Sequence, residues 1–587
     1  MVIFGAVFIM IAMVITKTKG NGNKRFSGLE DSGLKKGTRR QAVGIIIAKT
    51  WLWGRLVFAP IDKLNYNILV IGGTRSGKTS GFLIPSARSI ICSKAVNSTS
   101  LYVVDISGDI SKNVIPKGCT ETVALIDLKG DNSAIAYDVL APIDNAEDEN
   151  ERYELLEKLA FELIPTKAIS DSTAEYYLVC SQKLLTGIVT AKYHEGLDIV
   201  KIAEYIVNTG SEQVVKDVIK SGNKRAISYV SGFDGMNEQT LVSIHEAVQS
   251  SVSLIANNTK IQAVLKRGGF APSDIEHKSL FVNIPDAKLE NYTILLSLIS
   301  NQIINYVMSR DIHKRSKKVI FFLDEYTSLK IPIVYPARKI IKQLGILCVM
   351  TQSVSDLILA TSKEETQVIF DNFSVQLCYG ASSLQTQTHF SDYAGRYNVV
   401  KKSKSMNMLN KNETGKETHN ETERLELRML PEDFGKLKKN MIAFHPNGVS
   451  KFRKNQYFTL GNRLYYRKQK RKALRIDKRA KRKSVKNITL TYQKVPPENL
   501  QSFSLESLRG RERMSRENAE TQARKMARKH AHVLYGLDIR IENGKYETIF
   551  FAPIPFSRSD RLDVIHEVTK TKTTTHRWAF HAPPYID

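Results

Sequence analysis

Residues 72–79 of this chain read Gly72-Gly73-Thr74-Arg75-Ser76-Gly77-Lys78-Thr79 and give the strongest indication of its fold. It matches the pattern G-x-x-x-x-G-K-[ST], in which glycines allow backbone N–H groups to turn toward phosphate oxygens. An apolar run at residues 67–71 precedes it and is typical of a buried strand. The order of strand, glycine loop and helix predicts that these eight residues cradle the phosphates of a nucleotide.

Two residues at the end of this loop are expected to have specific roles. Lys78 would place its ammonium group on the β- and γ-phosphates, and Thr79 would bind Mg²⁺ through its hydroxyl. Lys78 is a catalytic candidate as well as a binding residue, because its charge would lie on the phosphates that react. The predicted cofactors are therefore ATP and Mg²⁺.

A phosphate-binding loop also needs a carboxylate to hold the metal ion and a base for water. The apolar run VIFFL at residues 319–323 ends in Asp324 and Glu325. Acids at the carboxyl end of a buried parallel strand lie at the edge of the sheet where ligands bind. We expect Asp324 to bind the metal ion and Glu325 to orient or deprotonate the attacking water. Two consecutive acids favour hydrolysis over kinase-like chemistry; the alternative is a strand that simply ends in acidic residues.

A glutamine follows the next apolar run. That run occupies residues 345–350, and Thr351 and Gln352 come directly after it. At the tip of a strand beside the one that carries Asp324, the Gln352 amide would hydrogen-bond the γ-phosphate and report hydrolysis to the rest of the protein. Gln352 is therefore a catalytic candidate, and the alternative is an ordinary polar strand end.

Other apolar runs predict the rest of the sheet. They occupy residues 101–105, 279–284 and 375–379, and helical stretches separate several of them. Strands that are apolar throughout and alternate with helices are typical of a parallel sheet covered on both faces. An earlier stretch, residues 43–58, contains two charges and is expected to hold strands rather than to span a membrane. The predicted fold class is therefore α/β with a parallel sheet.

Residues 145–275 follow a different pattern. Apolar residues recur at helical spacing between Leu156 and Leu163. Further along, Ser172-x-x-Glu175 matches a capping box that would open another helix. This part of the chain is therefore predicted to be an all-α domain inserted between two segments of the sheet.

The amino-terminal residues predict a membrane anchor. Residues 2–16 (VIFGAVFIMIAMVIT) are uncharged and almost wholly apolar. A full span needs ~20 residues, so this run is either one short anchor or the end of a longer membrane region. Four basic residues between Lys17 and Arg25 follow it, and the positive-inside rule then places the rest of the chain in the cytoplasm. We expect a protein of the cell membrane, with one or two spans and most of the chain cytoplasmic.

The chain carries a large positive charge. Lys and Arg number 86 against 59 Asp and Glu, which gives a net charge of +27. Residues 463–486 are the most basic segment, and their one acid is Asp477. Such a segment attracts polyanions, so we expect it to bind DNA or anionic lipid without sequence preference; a solvated linker or helix is the alternative. The 5 cysteines include no C-x-x-C pair, which excludes a zinc ribbon.

Taken together, the motifs resemble the TraG/TraD-like coupling proteins of type IV secretion systems. The resemblance covers residues 65–446 and includes the helical domain between the two halves of the sheet. The segments that carry it, besides the glycine loop, are VVDISGDI at 103–110, LDEYTSLKIP at 323–332, TQSVSDL at 351–357, FDNFSVQL at 370–377, HFSDYAGRY at 389–397 and LRMLPEDFGKL at 427–437.

This resemblance implies a function and a set of partners. It implies a membrane-anchored, RecA-like P-loop ATPase that brings a DNA–relaxase substrate to the type IV secretion channel and hydrolyses ATP to drive or license transfer. It also implies assembly as a homo-hexamer. The domains expected are an anchor at 1–20, ATPase segments at 40–144 and 276–460, the all-α domain at 145–275 and a basic region of unknown fold at 461–587.

Departures from the family pattern and two alternative functions stay open at this point. Lys330 stands where the family has glycine, so the turn there is expected to differ, and Asp109 stands where the family tends to be basic or neutral. The alternatives are a RecA-like DNA or protein translocase outside conjugation, and a docking receptor at the membrane that binds nucleotide without hydrolysing it. The helical insertion favours the coupling family over the first, and Asp324 and Glu325 favour hydrolysis over the second.

Overall fold

The structure, a computed structural model, describes most of the chain. The described residues are 25–51, 54–106, 108–128, 135–165, 171–285, 289–312, 316–406, 417–486, 536–542, 545–552, 563–570 and 574–581. The chain divides into two compact units, Met1–Asp477 and Lys478–Asp587. The predicted membrane anchor at residues 1–20 lies outside the described residues. Within the described ranges, no helix is both long and apolar enough to cross a membrane.

The strands fall into one large sheet, a two-stranded ribbon and a smaller sheet. In chain order they are β1 Lys35–Gly37, β2 Gly44–Lys49, β3 Leu56–Pro60, β4 Ile68–Gly72, β5 Thr99–Asp105, β6 Val123–Asp127, β7 Ser279–Asn283, β8 Lys318–Leu323, β9 Gly345–Thr351, β10 Val375–Gly380, β11 Arg396–Met406, β12 Glu417–Leu427, β13 Asn440–His445, β14 Gly448–Arg453, β15 Gly536–Glu542, β16 Lys545–Ala552, β17 Asp563–Lys570 and β18 Thr574–His581.

The large sheet is mixed, with the strand order β1-β3-β2-β14-β13-β10-β4-β9-β8-β5-β7-β6. The strands from β10 to β6 are parallel, and those on the other side of β10 pair antiparallel. The expected sheet is therefore confirmed in its parallel part but is not wholly parallel. The antiparallel strands come from residues 35–60 and 440–453, where short connections allow hairpins but leave no room for the crossover helix that parallel strands need.

The parallel strands are buried on both faces. Along β4, Ile68 and Val70 pack in one hydrophobic core, whereas Leu69 and Ile71 pack in another on the opposite face. Successive side chains of a strand point to opposite faces, so a strand between two cores must be apolar at every position. This is why the central strands could be recognised as continuous apolar runs.

The helices cover the faces of this sheet and form the insertion. In chain order the α-helices are α1 Ile84–Ile91, α2 Asp109–Val114, α3 Ala141–Asp144, α4 Glu149–Leu163, α5 Ser172–His194, α6 Ile199–Asn208, α7 Ser211–Lys220, α8 Lys224–Val230, α9 Glu238–Asn257, α10 Thr259–Val264, α11 Leu289–Ser309, α12 Val334–Lys339, α13 Val354–Ala360, α14 Lys363–Asn372, α15 Leu384–Ala394, α16 Pro431–Gly435 and α17 Leu460–Lys486.

Between β6 and β7 the described residues form the helices α3 to α10 and short 3-10 turns at Ser231–Phe233 and Pro272–Glu276, and the β-structure among them is limited to isolated bridges of Tyr137 with Leu265 and Phe270. Leu156 and Leu163 of α4 are buried, as their spacing predicted. The capping prediction for α5 was wrong by one residue: the Asp171 side chain accepts the hydrogen bond from the Thr173 N–H. Because Asp171 already caps the first turn, Ser172 lies inside the helix.

The second unit contains a four-stranded antiparallel sheet in the order β16-β15-β18-β17. In this sheet β15 and β16 pair antiparallel on either side of Asn543 and Gly544, and Glu542 at the end of β15 pairs with Lys545 at the start of β16. Asn543 and Gly544 themselves lie outside the described residues.

Candidate functional site

The glycine loop connects the carboxyl end of β4 to a π-helical turn at Thr79–Leu83, which continues into α1. Inside the loop, Lys78 Nζ donates to the carbonyl oxygen of Gly72 at 2.5 Å and to that of Gly73 at 3.5 Å. The ammonium group is therefore folded over the loop itself. Burial lowers the pKa of Lys78, and the carboxylates of Asp324 and Glu325 act in the opposite direction.

The loop also needs its glycines for backbone shape and space. Gly77 has φ +92°, a region that L side chains rarely adopt, and Arg75 has a positive φ of 60°. At Gly72 an added Cβ would lie 2.7 Å from Ser76 Oγ and 2.8 Å from Tyr379 Cβ. The loop is thus packed tightly against the end of β10, and larger residues at these glycines would force it open.

The predicted metal ligands meet across the sheet. Thr79 Oγ1 donates a 2.6 Å hydrogen bond to Asp324 Oδ2. Burial raises the pKa of the Asp324 carboxyl, while the Thr79 hydrogen bond and the charge of Lys78 oppose that rise. A hydroxyl and a single carboxylate fit Mg²⁺, which commonly takes one or two protein oxygens and completes its octahedron with phosphates and water.

Glu325 follows Asp324 in a strained backbone conformation. Its φ and ψ are 50° and 45°, the left-handed helical region, and its N–H donates to Asp324 Oδ1 at 3.2 Å. A non-glycine residue in this region costs on the order of 1–2 kcal/mol, and such strain is found at functional sites where the surroundings enforce it. The turn leaves Asp324 buried and Glu325 half-buried at the same sheet edge.

Gln352 also lies at the loop. Its strand, β9, lies between β4 and β8, so its carboxyl end faces both the loop and the acids. Thr74 Oγ1 donates a 3.0 Å hydrogen bond to Gln352 Oε1. The structure thus brings together Lys78, Thr79, Asp324 and Gln352, which are predicted from separate parts of the chain.

The structure shows the conformation of the two positions that differ from the family pattern, Lys330 and Asp109. Lys330 adopts a positive φ of 52°, so the turn keeps a glycine-like backbone even though the side chain is lysine. Asp109 is exposed in the first turn of α2. The buried carboxylate nearby is Asp105, which accepts hydrogen bonds from the N–H groups of Gly108 and Ser111 at 2.8 and 2.7 Å. Asp105 therefore holds the start of α2 in place.

The segment that follows β14 also contacts the loop and was not predicted from the sequence. Lys454 Nζ donates to the carbonyl oxygens of Ser76 and Tyr379, and the Gln456 amide oxygen accepts a hydrogen bond from Ser80 Oγ. These residues belong to no nucleotide-binding pattern and are distant from the loop in sequence. The one available signal was their position just after the last strand of the main sheet.

The predicted basic segment forms α17, and the part of this helix that belongs to the first unit packs within that unit along one stripe. Tyr466, Ala473 and Asp477 are buried at helical spacing. The Asp477 carboxylate accepts hydrogen bonds from the Glu121 and Thr122 N–H groups at 3.0 and 2.9 Å. The remaining face is basic and exposed at Arg463, Arg467, Lys468, Arg471, Lys472 and Arg475. The helix packs through Tyr466, Ala473 and Asp477 because these three residues share one side of it, and the six cations lie on the exposed side.

Comparison with known proteins places this arrangement in a family. The family described as "Type IV secretory system Conjugative DNA transfer" matches residues 24–490. The bacterial conjugative coupling protein TrwB, in its unbound ΔN70 form, shares 16% identity and a TM-score of 0.55, over 74% of this chain and 94% of that chain. No curated protein sequence matches the chain.

TrwB structures with nucleotides show the same likeness. The complex of TrwB with the ATP analogue ADPNP has 15% identity, a TM-score of 0.53 and coverage of 74% of this chain and 95% of that chain. The complex with ADP and Mg²⁺ has 14% identity, a TM-score of 0.53 and the same coverage. These structures share the α/β, RecA-like fold of the first unit. Since the family match spans most of its length, the chain belongs to the type IV secretory system conjugative DNA transfer family.

Proposed function

We propose that this chain is the coupling ATPase of a conjugative type IV secretion system, which binds ATP with Mg²⁺ and hydrolyses it to drive or license DNA transfer. The observation that carries the proposal is the contact between Thr79 and Asp324, because it assembles a Mg²⁺ ligand pair beside the phosphate loop. The likeness to TrwB structures that contain ADPNP, or ADP and Mg²⁺, supports the same cofactors here.

Each side chain has a defined part in this proposal. Lys78, which donates to loop carbonyls in the structure, would transfer its hydrogen bonds to phosphate oxygens. Thr79 and Asp324 would hold Mg²⁺, which supplies positive charge to the phosphate oxygens. Glu325 would accept the proton of the attacking water. Gln352 is hydrogen-bonded to Thr74 of the loop, so a change at the γ-phosphate would alter its contacts.

The assay that tests this function separates binding from turnover. The wild-type chain should release phosphate from MgATP, and Glu325→Gln should bind nucleotide with nearly unchanged affinity but lose most of its turnover. The substitution preserves the shape of the side chain and removes the base. If the wild-type chain binds ATP without releasing phosphate, the non-hydrolysing docking receptor becomes the better description. Full turnover by Glu325→Gln would remove that residue from the mechanism.

We also propose that the chain is attached to the cell membrane through residues 1–20, with its body in the cytoplasm, and that it assembles as a homo-hexamer. The apolar run at residues 2–16, the basic residues behind it and the family membership support this arrangement. Its partners would be DNA, a relaxase and the channel proteins. Mass photometry of the detergent-extracted chain with MgATP should show a species of six copies, and a strictly monomeric chain under all nucleotide conditions would contradict the ring.

The basic face of α17 is proposed as a DNA-binding surface. Six cations on this side of the helix are exposed, and the buried stripe of Tyr466, Ala473 and Asp477 keeps that side turned to solvent. Contacts from such side chains to phosphates give binding without sequence preference, because they contact no base. Anionic lipid offers similar charges, so binding to vesicles is the competing outcome of the test given in the Discussion.

A further inference from the structure

Lys454 is a buried cation on the outer side of the phosphate loop. It follows β14 directly and only 7% of its surface is exposed. Its Nζ donates to the carbonyl oxygen of Ser76 at 2.8 Å and to the carbonyl oxygen of Tyr379 at 2.6 Å. Ser76 belongs to the loop and Tyr379 to β10, so one ammonium group ties the loop to the neighbouring strand.

The hydrogen bonds from Lys454 supply a donor that the loop needs for one of its carbonyl oxygens. A phosphate-binding loop directs N–H groups toward the nucleotide, which leaves carbonyl oxygens that need other donors. At Ser76 the donor is Lys454. A second link comes from the loop itself, since the Gly73 N–H donates to the carbonyl oxygen of Gly380 at 3.2 Å. The strand β10 and Lys454 thus hold the outer side of the loop together.

The residues that follow Lys454 also contact the loop and the residue directly after it. Ser80 Oγ donates to the Gln456 amide oxygen, and the Tyr457 N–H donates to the Ser80 carbonyl oxygen at 2.9 Å. A Cβ added at Gly77 would lie 2.5 Å from Gln456 Nε2. The segment from Lys454 to Tyr457 therefore lies along the loop from Ser76 to Ser80.

The position of Lys454 is electrostatically costly. Burial, together with the positive charge of Lys78, lowers the pKa of Lys454 to about 8. The other titratable groups that face Lys454 are Cys378, whose thiol has its pKa raised by burial to about 12, and Tyr379, whose ring centroid lies 5.5 Å from Lys454 Nζ. Neither group offers a full negative charge at neutral pH. Two ammonium groups therefore lie near one loop, and a bound triphosphate would be the anion that stabilises both.

We propose that Lys454 is a positioning residue for nucleotide binding and hydrolysis, which holds the phosphate loop against the end of β10 in the conformation that accepts ATP. It acts through the Ser76 and Tyr379 carbonyl groups. The role of Lys454 in hydrolysis rests on the ATPase function proposed above, whereas its role in nucleotide binding does not.

A set of three variants tests this role. Lys454→Met removes the charge and both hydrogen bonds, and Lys454→Arg keeps the charge. Lys451→Met is the matched control, because Lys451 is a half-buried lysine of the preceding strand β14. Binding of a fluorescent ATP analogue with Mg²⁺, steady-state phosphate release and thermal unfolding are measured on the full chain. Loss of charge-assisted hydrogen bonds should weaken nucleotide binding by ~10-fold or more.

The expected pattern is specific. Lys454→Met should raise both the Kd for nucleotide and the KM with a smaller change in kcat, Lys454→Arg should recover most of the affinity, and Lys451→Met should behave like the wild type. Unchanged nucleotide affinity in a folded Lys454→Met protein would overturn the proposal. If the wild type binds nucleotide but releases no phosphate, the ATPase function fails while the Kd values still decide the role of Lys454.

The pH dependence provides a readout that a merely structural residue would not change. An anionic ligand raises the pKa of a nearby ammonium group, so nucleotide affinity should be greatest below pH 8 and should fall as the pH rises above it. Burial also lowers the pKa of Lys78, and Lys454→Arg separates the two lysines, because arginine stays charged throughout. The loss of nucleotide affinity above pH 8 should be smaller in Lys454→Arg than in the wild type. An identical fall in the wild type and in Lys454→Arg would assign it to Lys78 and overturn the proposal, even if Lys454→Met does not fold.

Discussion

The hydroxyl of Thr79 donates a 2.6 Å hydrogen bond to the carboxylate of Asp324, although the two residues are 245 positions apart in the chain. Thr79 ends the phosphate loop after β4, and Asp324 follows β8. The strands β4 and β8 are separated in the sheet only by β9. The parallel sheet therefore places both proposed Mg²⁺ ligands at one edge, and this contact is the basis of the first prediction.

Thr79→Val should weaken the binding of Mg²⁺ at the nucleotide site. The valine has a similar shape but no hydroxyl, so the metal loses one ligand and Asp324 loses a hydrogen bond. We expect the Mg²⁺ concentration for half-maximal nucleotide binding to rise by ~10-fold or more, because a lost bond to a charged group costs about 1.5–3 kcal/mol. Thr79→Ser keeps the hydroxyl and is the control. Equal Mg²⁺ dependence in the valine and serine variants would exclude Thr79 as a ligand.

The same site should also respond to pH. Burial raises the pKa of Asp324 above its ordinary value. Mg²⁺ binds the ionised carboxylate, so its affinity should be complete well above that pKa and should fall as the pH is lowered through it. Mg²⁺ titrations with ADP across the acidic range would measure this. An Asp324→Asn variant should bind Mg²⁺ weakly, and its Mg²⁺ affinity should not decrease further as the pH is lowered.

Lys78→Ala should lose nucleotide affinity rather than only turnover. The ammonium group is expected to contact the β- and γ-phosphates, and the substitution also removes its hydrogen bond to the Gly72 carbonyl. We expect the Kd for MgATP to rise by at least ~10-fold. Thermal unfolding of the nucleotide-free variant checks that the loop and sheet remain folded. If Lys78→Ala binds MgATP as tightly as the wild type, the loop is not the nucleotide site.

Neutralising the basic face of α17 should weaken DNA binding and its salt dependence. The variant replaces Arg467, Lys468, Arg471, Lys472 and Arg475 with glutamine. Each phosphate contact that is lost should lower the slope of log affinity against log salt by ~0.9. ATP hydrolysis without DNA should stay near the wild-type rate.

The matched control removes exposed lysines from the helical insertion, at Lys201, Lys220 and Lys224. It should leave the slope for DNA unchanged. Parallel binding to vesicles with anionic and with neutral lipid separates the two polyanions. A variant that loses vesicle binding while keeping the full salt slope for DNA would assign the basic face to the membrane.

Asp477→Ala should detach α17 without abolishing the fold. The carboxylate accepts hydrogen bonds from the N–H groups of Glu121 and Thr122 and from the Thr122 hydroxyl at 2.9 Å. Unpaired buried N–H groups cost about 1–3 kcal/mol each, so we expect faster amide hydrogen exchange at residues 120–122 and a lower unfolding midpoint. The exposed neighbour Arg475→Ala is the control. Unchanged exchange at these amides in Asp477→Ala would show that the helix is held by other contacts.

Deleting residues 1–20 should release the chain from the membrane fraction. The run at residues 2–16 contributes apolar surface that water solvates poorly, and the basic residues behind it favour the anionic cytoplasmic face. Fractionation of cells that express the full and truncated chains measures this. The Lys78→Ala chain serves as a control whose membrane attachment should not change. A full-length chain that stays in the soluble fraction without detergent would contradict the anchor.

Contiguous patterns in the sequence were sufficient for much of this protein. The glycine loop is identified from adjacent residues, because the requirement for positive φ and close backbone approach acts on neighbours in the chain. The central strands are identified as apolar runs because both faces of the sheet are buried. The acids at 324 and 325 and the glutamine at 352 are recognised because they directly follow such runs.

The tertiary structure decided what depends on residues distant in sequence. Nothing near Lys454 predicts that its ammonium group reaches the carbonyl of Ser76, because that contact arises from the pairing of β13 and β14 beside β10. The antiparallel part of the sheet and the packing of α17 through Asp477 also depend on contacts between residues that are distant in sequence. Local sequence determined which segment has the pattern of a phosphate-binding loop and which segments are buried, since those properties depend on neighbouring residues. Which side chains meet around the phosphate loop was decided by the order of the strands, because only that order brings the distant segments to one edge.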